Sequence, residues 1–503
     1  MTPVSEDGLN IVMAASEAVP YAKTGGLADV VGALALELTK SGHHVTLVVP
    51  GYRRRATSEC CQLAMRLSIP MDGKPVGVMV EEENVPVTGA MYCLRVLFVR
   101  YDPYFDRQGL YQEDHHDYPD NLERFTLFCR AVLEIVRNLI ETQETMVDVL
   151  HLHDWQTALC AVYLKALPHE YMRLNQLKVL LTLHNMGYQG VFPGQQFVKT
   201  GLPPSLFSPS GLEFYGSINC LKGGIIFSDA VSTVSPTYAK EIMTAEYGCG
   251  LEGVLVNRMD GVKGITNGID VAAWNPESDP YLSAQYTVAD LSGKQACKRA
   301  LQRELELPNR DVPLLAVIGR LTFQKGFDLL IGVIPELMSL DTQIVVLGTG
   351  DQHLEKQFSA VKARYPDRIG LCLRFDEGMA HRIEAGSDML MMPSRYEPCG
   401  LSQLYSLRYG TVPIVRRTGG LADTVVPFRP STVKSRCATG FHFIEASADS
   451  LLSALLLSLH VYKEREIWQP LIQAGMKTDL SWGRSAKLYV DLYREMQGER
   501  RES

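Results

Sequence analysis

Four stretches of this sequence carry residue types that hold anions or polyols. In Lys23-Thr24-Gly25-Gly26 a cation stands beside paired glycines. Glycine amides approach an oxyanion with no Cβ in the way, and a helix start favours negative charge. A plain strand-to-helix turn with a surface lysine explains the same residues. The spacing is not that of a Walker loop. The second stretch is Gly319-Arg320-Leu321-Thr322-Phe323-Gln324-Lys325-Gly326, two cations in a glycine-bounded loop. Such a pair can hold a diphosphate. In the third, Pro393-Ser394-Arg395-Tyr396-Glu397-Pro398-Cys399-Gly400-Leu401, a single carboxylate sits in a Pro/Gly-bounded loop. Glu397 can take two hydroxyls of a polyol, or simply complement a helix dipole. The amides of Gly400, Leu401 and Ser402 suit phosphate, and Cys399 by itself reads as a buried structural thiol. The fourth group is His151, His153 and Asp154 with His184 and Asn185. On a strand His151 and His153 share one face while Asp154 takes the other. That disfavours a metal and favours hydrogen bonds to sugar hydroxyls.

Short apolar runs must position these loops. The first half offers Ile11–Ala15, Val45–Val49, Tyr92–Val99, Val149–Leu152, Val179–Leu183 and Ala230–Val234. The second offers Leu314–Ile318, Gln343–Leu347, Leu371–Phe375, Met389–Met392, Val412–Val415 and Gly440–Phe443. Near-continuous apolar runs fit parallel strands buried on both faces, and their alternation with helical patterns fits βαβ units. Each chemical stretch follows such a run, at the carboxyl end where open α/β sheets bind ligands. After the first run, Leu27, Val30, Val31, Leu34 and Leu38 form one helical stripe, with Gly42 as its stop. The pattern restarts after a polar stretch at 276–294. The expectation is two doubly wound α/β domains, 1–272 and 273–480, with a helix in 481–503 (Trp482–Gln497) that returns to the first. Gly25-Gly26-Leu27-Ala28-Asp29 recurs as Gly419-Gly420-Leu421-Ala422-Asp423, one copy per domain. Gly348-Thr349-Gly350-Asp351-Gln352-His353 is a broken dinucleotide fingerprint lacking its third glycine. The acid run Glu81–Glu83 reads as solvated surface.

Composition narrows the classes. The chain has 503 residues, 46% hydrophobic and 21% charged, with 49 basic against 57 acidic side chains and a net charge of −8. That is a globular composition without the basic footprint of a nucleic-acid binder. Eleven cysteines, an odd and scattered set, read as reduced thiols of the cytosol. No apolar run reaches the roughly 18 residues of a membrane span, and the polar start is unlike a secretory signal. A cytoplasmic protein with no membrane or nucleic-acid partner is expected.

The chain resembles bacterial glycogen synthases and plant starch synthases. The matching motifs are Ser16-Glu17-Ala18-Val19-Pro20 with Lys23–Asp29, His151-Leu152-His153-Asp154-Trp155, Thr182–Gly190 and Thr266-Asn267-Gly268-Ile269-Asp270. Further on they are Arg320-Leu321 with Gln324-Lys325-Gly326, Pro393–Leu401, and Arg416-Arg417-Thr418-Gly419-Gly420-Leu421. The resemblance implies the GT-B fold, two Rossmann-like parallel-sheet domains facing across a cleft. It implies that Arg320 and Lys325 hold the diphosphate of ADP-glucose and that Glu397 contacts the transferred glucose. Lys23, Gly25, Gly26 and Asp29 would approach the donor, as would Asn185, Cys399, Gly400, Leu401 and Ser402. Asp154, His184 and Asn267 would line the sugar site, and Phe375 would lie against the adenine. Tyr118 and His153 would face the acceptor, an α-1,4-glucan. Ser402 and Phe375 stand where the family more often has Thr and Tyr. Tyr405 stands where sucrose- and trehalose-type relatives carry a second Glu.

The implied reaction moves glucose from ADP-glucose to the non-reducing end of the glucan with retained configuration. A double displacement needs two carboxylates about 5 Å apart, and no pair in the sequence fills those roles. A same-face route fits better, with the leaving phosphate accepting the acceptor's proton and a backbone carbonyl near His184 shielding the sugar. The two cations make a metal or other cofactor unnecessary. UDP-glucose as donor and a non-catalytic glucan-binding relative are the alternatives. A nicotinamide-dependent oxidoreductase is disfavoured, because the first strand–loop–helix lacks its fingerprint.

Overall fold

A computed structural model describes residues 8–53, 61–114, 116–143 and 146–498. The chain divides into two compact units. One comprises Met1–Val234, Ala239–Ile265 and Trp482–Ser503, the other Ser235–Tyr238 and Thr266–Ser481. The division therefore falls at 265/266 rather than 272/273. The Ile269 N–H donates to the Leu480 carbonyl at 2.8 Å, which fixes residues 266–272 to the second unit. The short piece Ser235–Tyr238 joins that unit because Asp423 accepts from the Thr237 N–H at 3.0 Å and from the hydroxyls of Thr237 and Ser235.

Among the described residues, the first unit's main sheet has nine strands. They are β1 (Asn10–Ala14), β2 (His44–Pro50), β3 (Gln62–Met71), β4 (Lys74–Val85), β5 (Leu94–Arg100), β6 (Val149–His153), β7 (Lys178–Leu183), β8 (Ala230–Thr233) and β9 (Lys263–Gly264). Their spatial order is β9-β8-β7-β6-β1-β2-β5-β4-β3. The first seven in that row pair in parallel, and β5-β4-β3 pair antiparallel. The β3–β4 hairpin turns at Asp72 and Gly73, with φ of 48° and 72°. Both positive angles are what a two-residue hairpin turn requires. Apolar runs do not announce it, because one face of each strand is wet. Glu82 consequently lies in a strand, accepting from Arg95 at 2.7 Å, instead of in a solvated acid run.

The helix Gly26–Lys40 buries Val30, Val31, Leu34 and Leu38 on one face of this sheet. Gly42 follows it with φ +92°, the left-handed stop expected there. Beside that helix packs Trp482–Gln497, which adds Trp482, Ala486, Tyr489, Leu492 and Tyr493 to the same core cluster. This helix, the last among the described residues, thus completes the first unit.

The second unit holds β10 (Leu314–Ile318), β11 (Gln343–Leu347), β12 (Ile369–Cys372), β13 (Met389–Met392), β14 (Val412–Arg416) and β15 (Phe441–Phe443). Their order is β12-β11-β10-β13-β14-β15, parallel throughout. Alternate residues face opposite layers. Leu315, Val317, Ile344, Val346, Met389 and Met391 enter one core cluster, and Leu314, Ala316, Val345, Leu347, Leu390 and Met392 the other. Both faces are covered, which is why these strands read as unbroken apolar runs. Strand β12 ends at Cys372, so Phe375 lies beyond it.

Candidate active site

Strand order reverses between β1 and β6 in the first unit and between β10 and β13 in the second. Ligands of open α/β sheets bind at the carboxyl ends of the strands that flank such a switch point. All four chemical stretches lie at the carboxyl ends of those four strands, His151 and His153 within β6 itself, or, for His184 and Asn185, after the neighbouring β7.

In the second unit, Lys325 Nζ donates to Glu397 Oε2 at 2.6 Å, and the Ser394 hydroxyl donates to the same oxygen at 2.9 Å. Glu397 is buried, and the Lys325 side chain is 27% exposed. The carboxylate is therefore committed to a cation and not merely to a helix dipole. Two glycines make this approach possible. Gly326 has φ +67°, and a Cβ there meets the Pro393 carbonyl at 2.0 Å. Gly419 has φ +44°, and its Cβ meets the Glu397 carbonyl at 1.9 Å. Arg320 is exposed on the loop after β10. The Cys399 thiol is pushed up to about 12 by burial, an inert structural group. Gly400 (φ +74°) leads through Leu401 into the helix Ser402–Arg408. Asn267 is buried with its Oδ1 lacking any hydrogen-bond partner among the described residues. Phe375 is 74% exposed. The Gly348–His353 stretch is no nucleotide cradle. The Gly350 N–H donates to Glu355 at 3.0 Å, and a Cβ on Gly348 meets the Gly319 carbonyl at 2.0 Å.

In the first unit, His153 Nδ1 and His184 Nε2 are 3.0 Å apart. His151 hydrogen-bonds Thr182 at 2.7 Å through Nε2 and Tyr493 at 2.8 Å through Nδ1. Burial lowers His151 and His184 to about 3 and holds His153 far below its usual range. All three are neutral rings. His151 is spent on structure, whereas His153 Nε2 is buried with no partner among the described residues. Asp154 leaves the strand with φ 57° and ψ −172°, a region that costs a non-glycine residue about 1–3 kcal/mol. That kink changes the expected strand geometry and turns the carboxylate to accept the His184 N–H at 2.7 Å. Burial raises Asp154 to about 7, against the lowering pull of the His184 and Asn185 amides. Among the described residues no three His, Cys, Asp or Glu side chains group as metal ligands.

Lys23 pairs with Asp29 at 2.7 Å, on the loop that enters the helix Gly26–Lys40 at an extended Gly25. The loop is held by two residues to which the sequence reading gave no role. Buried Glu17 accepts from the Thr24 N–H, from the Thr24 hydroxyl at 2.7 Å and from the Tyr111 hydroxyl at 2.6 Å. A carboxylate just past an apolar strand is the available signal for Glu17. Nothing local marks Tyr111. Tyr118, expected to face the acceptor, sits among cations. Its ring lies 4.7 and 4.9 Å from the guanidinium carbons of Arg107 and Arg124 and is 9% exposed. Its hydroxyl accepts from the Gly109 N–H at 3.3 Å. In the second glycine pair, Gly420 donates to the Glu397 carbonyl at 3.1 Å, so the repeated pentapeptide serves an internal seam there.

A family model described as the starch synthase catalytic domain matches residues 10–257, and one for glycosyl transferases group 1 matches 298–471. A glycogen synthase of Koribacter versatilis (strain Ellin345) is 43% identical over 485 residues, 96% of this chain and 98% of the relative. One of Anaeromyxobacter sp. (strain Fw109-5) is 44% identical over 490 residues, 97% and 99% of the two chains. The structure of the catalytic domain of starch synthase IV from Arabidopsis thaliana, bound to ADP and acarbose, aligns with a TM-score of 0.88 at 35% identity. That alignment covers 98% of this chain and 100% of that one. No helix among the described residues is long and apolar enough to cross a membrane. With motifs, strand order and full-length similarity in agreement, the chain belongs to the glycogen and starch synthase family of GT-B glycosyltransferases.

Proposed function

We propose that this glycosyltransferase takes glucose from ADP-glucose and adds it to the non-reducing end of an α-1,4-glucan, with retained configuration. The observation that carries the reading is the Lys325–Glu397 pair at the switch point of the second sheet. A nucleoside diphosphate needs cations where its leaving oxygen gains charge, and an oxocarbenium-like sugar needs a carboxylate beside it. The pair supplies both from adjacent loops. Arg320 adds a second cation, and the amides after Cys399 meet phosphate. Preorganised charge of this kind is usually the largest catalytic contribution. In this reading the two cations take the place of a metal.

Asp154 and the neutral rings of His153 and His184 serve the sugar hydroxyls, as does Asn267. The partnerless His153 Nε2 and Asn267 Oδ1 favour this, because a buried polar atom left unpaired in the free protein invites a ligand partner. Lys23, with Gly25 and Gly26, approaches the donor phosphates, and exposed Phe375 stacks on the base. The ADP bound by the Arabidopsis relative favours adenine over uracil. The test is incorporation of labelled glucose into glycogen from ADP-glucose and UDP-glucose in parallel. Equal or greater incorporation from UDP-glucose overturns the donor assignment, and none from either overturns the reaction.

A further inference from the structure

Arg395, two residues before Glu397, reaches across to the loop that carries Lys325. Its backbone N–H donates to the Gln324 carbonyl at 2.8 Å. Its guanidinium donates to both carboxylate oxygens of Asp328 at 2.7 Å each and to the Phe323 carbonyl at 2.8 Å. The same group lies 3.6 Å from the centroid of the Phe323 ring. On its far side, the Arg395 carbonyl accepts from Arg416 at the end of β14. One residue thus fastens the loops after β10 and β13 to each other and to the end of β14. The hydrogen bond from Arg395 holds the Asp328 carboxyl below the usual carboxylate range, in keeping with a formed pair.

Lys325 and Glu397 stand on those two loops, and no helix or strand is common to both. Their 2.6 Å separation is therefore set by whatever holds the loops in register. Gly326 permits close approach to Pro393 but does not enforce it. The planar fork of Arg395 does enforce it, because its bonds to Asp328 and to the Phe323 carbonyl are directional and simultaneous. Lysine cannot reproduce that fork.

We infer that Arg395 is a positioning residue that, braced on Asp328 and Phe323, sets Lys325 at the leaving diphosphate. The inference rests on the reading of Lys325 as the diphosphate cation. A displacement of about 1 Å at a reacting group can cost about 10²-fold in rate, so loss of the fork should be felt in kcat.

The experiment is a double-mutant cycle on the full-length enzyme. Turnover of ADP-glucose on glycogen is measured for wild type, Arg395→Lys, Lys325→Ala and the double variant, with melting temperatures alongside. Arg395→Lys is expected to lower kcat by about tenfold or more where Lys325 is present, and by less than about twofold in the Lys325→Ala background, since neighbours acting through one group are non-additive. Equal losses in both backgrounds, or a kcat near wild type for Arg395→Lys, overturn the inference. Should Arg395→Lys fail to fold, Asp328→Asn loosens the same brace from the other side and is read by the same cycle. Lys325→Ala alone separates the two readings. If it leaves kcat unchanged, the diphosphate assignment fails. If it is crippled while the Arg395 and Asp328 variants add independently, the positioning role alone fails.

Discussion

The carboxylate of Asp154 accepts the backbone N–H of His184 at 2.7 Å, joining the ends of two neighbouring parallel strands. Burial raises that carboxyl from its ordinary 3.8 to about 7. The folded protein then holds a proton that the unfolded chain releases, so Asp154 lowers stability as pH climbs from about 4 to about 7 and adds no further slope above that. The shift corresponds to an upper bound of about 4 kcal/mol. Asp154→Asn, which carries no charge, should therefore melt above wild type at pH 8 and close to it at pH 4.5. Melting curves of both proteins at the two values check this, and an unchanged gap would contradict it.

Removing either cation of the second unit should slow chemistry more than binding. In the proposed role, Lys325→Ala and Arg320→Ala each delete a donor to developing negative charge, a loss of typically about 10²–10³ in kcat. Steady-state rates on glycogen decide the matter. Turnover within a few-fold of wild type for either variant would remove that residue from the diphosphate site.

Glu397→Gln keeps the shape and one acceptor for Lys325 and Ser394 but loses the charge. A carboxylate that stabilises only a helix start is worth about 0.3–1 kcal/mol and leaves turnover alone. One that faces the transferred sugar should lose most of kcat with little change in melting temperature. Both quantities are read on the same preparation, and near-normal kcat with a lowered melting point would return Glu397 to a structural role.

Phe375 is already open to solvent, so Phe375→Ala should shift stability by no more than about 0.5 kcal/mol. If the ring stacks on the base, the loss should be uniform binding, seen as a raised KM for ADP-glucose at constant kcat. Stacking on a base is worth about 1–3 kcal/mol, so about a tenfold rise is expected. An unchanged KM would place the base elsewhere.

The parts of this fold legible in the sequence are those where one physical signal dominates. Runs such as Leu314–Ile318 are apolar on both faces and sit where they were expected. The helix stripe from Val30 to Leu38 and the final helix Trp482–Gln497 do too. Legibility fails where the signal is shared with water or spread over distance. Strands β3 and β4 alternate weakly, and their marker is the dipeptide Asp72-Gly73, not hydrophobicity. Nothing in the sequence around Tyr118 announces that Arg107 and Arg124 pack against its ring. Glu17 and Tyr111 are 94 positions apart, and Arg395 and Asp328 are 67 apart. No periodicity within a segment reports such pairs. They are properties of the assembled loops, and they decide how Lys23 and Lys325 are held.

The return of Trp482–Gln497 to the first unit sets an order of events during synthesis. Domains form as their residues leave the ribosome, generally from the amino end. Here Ile11, Val30 and Leu34 emerge early, while Tyr489 and Tyr493, which share their core, follow only after the whole second unit. The first unit must wait, with an apolar face of its first helix uncovered and His151 lacking the Tyr493 hydroxyl, until Trp482–Gln497 has been translated. A message truncated before Trp482 yields a second unit with all its strands and a first unit with an open flank. Such a product exposes apolar surface of the kind that chaperones and proteases recognise, so passage of translation beyond the second unit and soundness of the first are tested by the same helix.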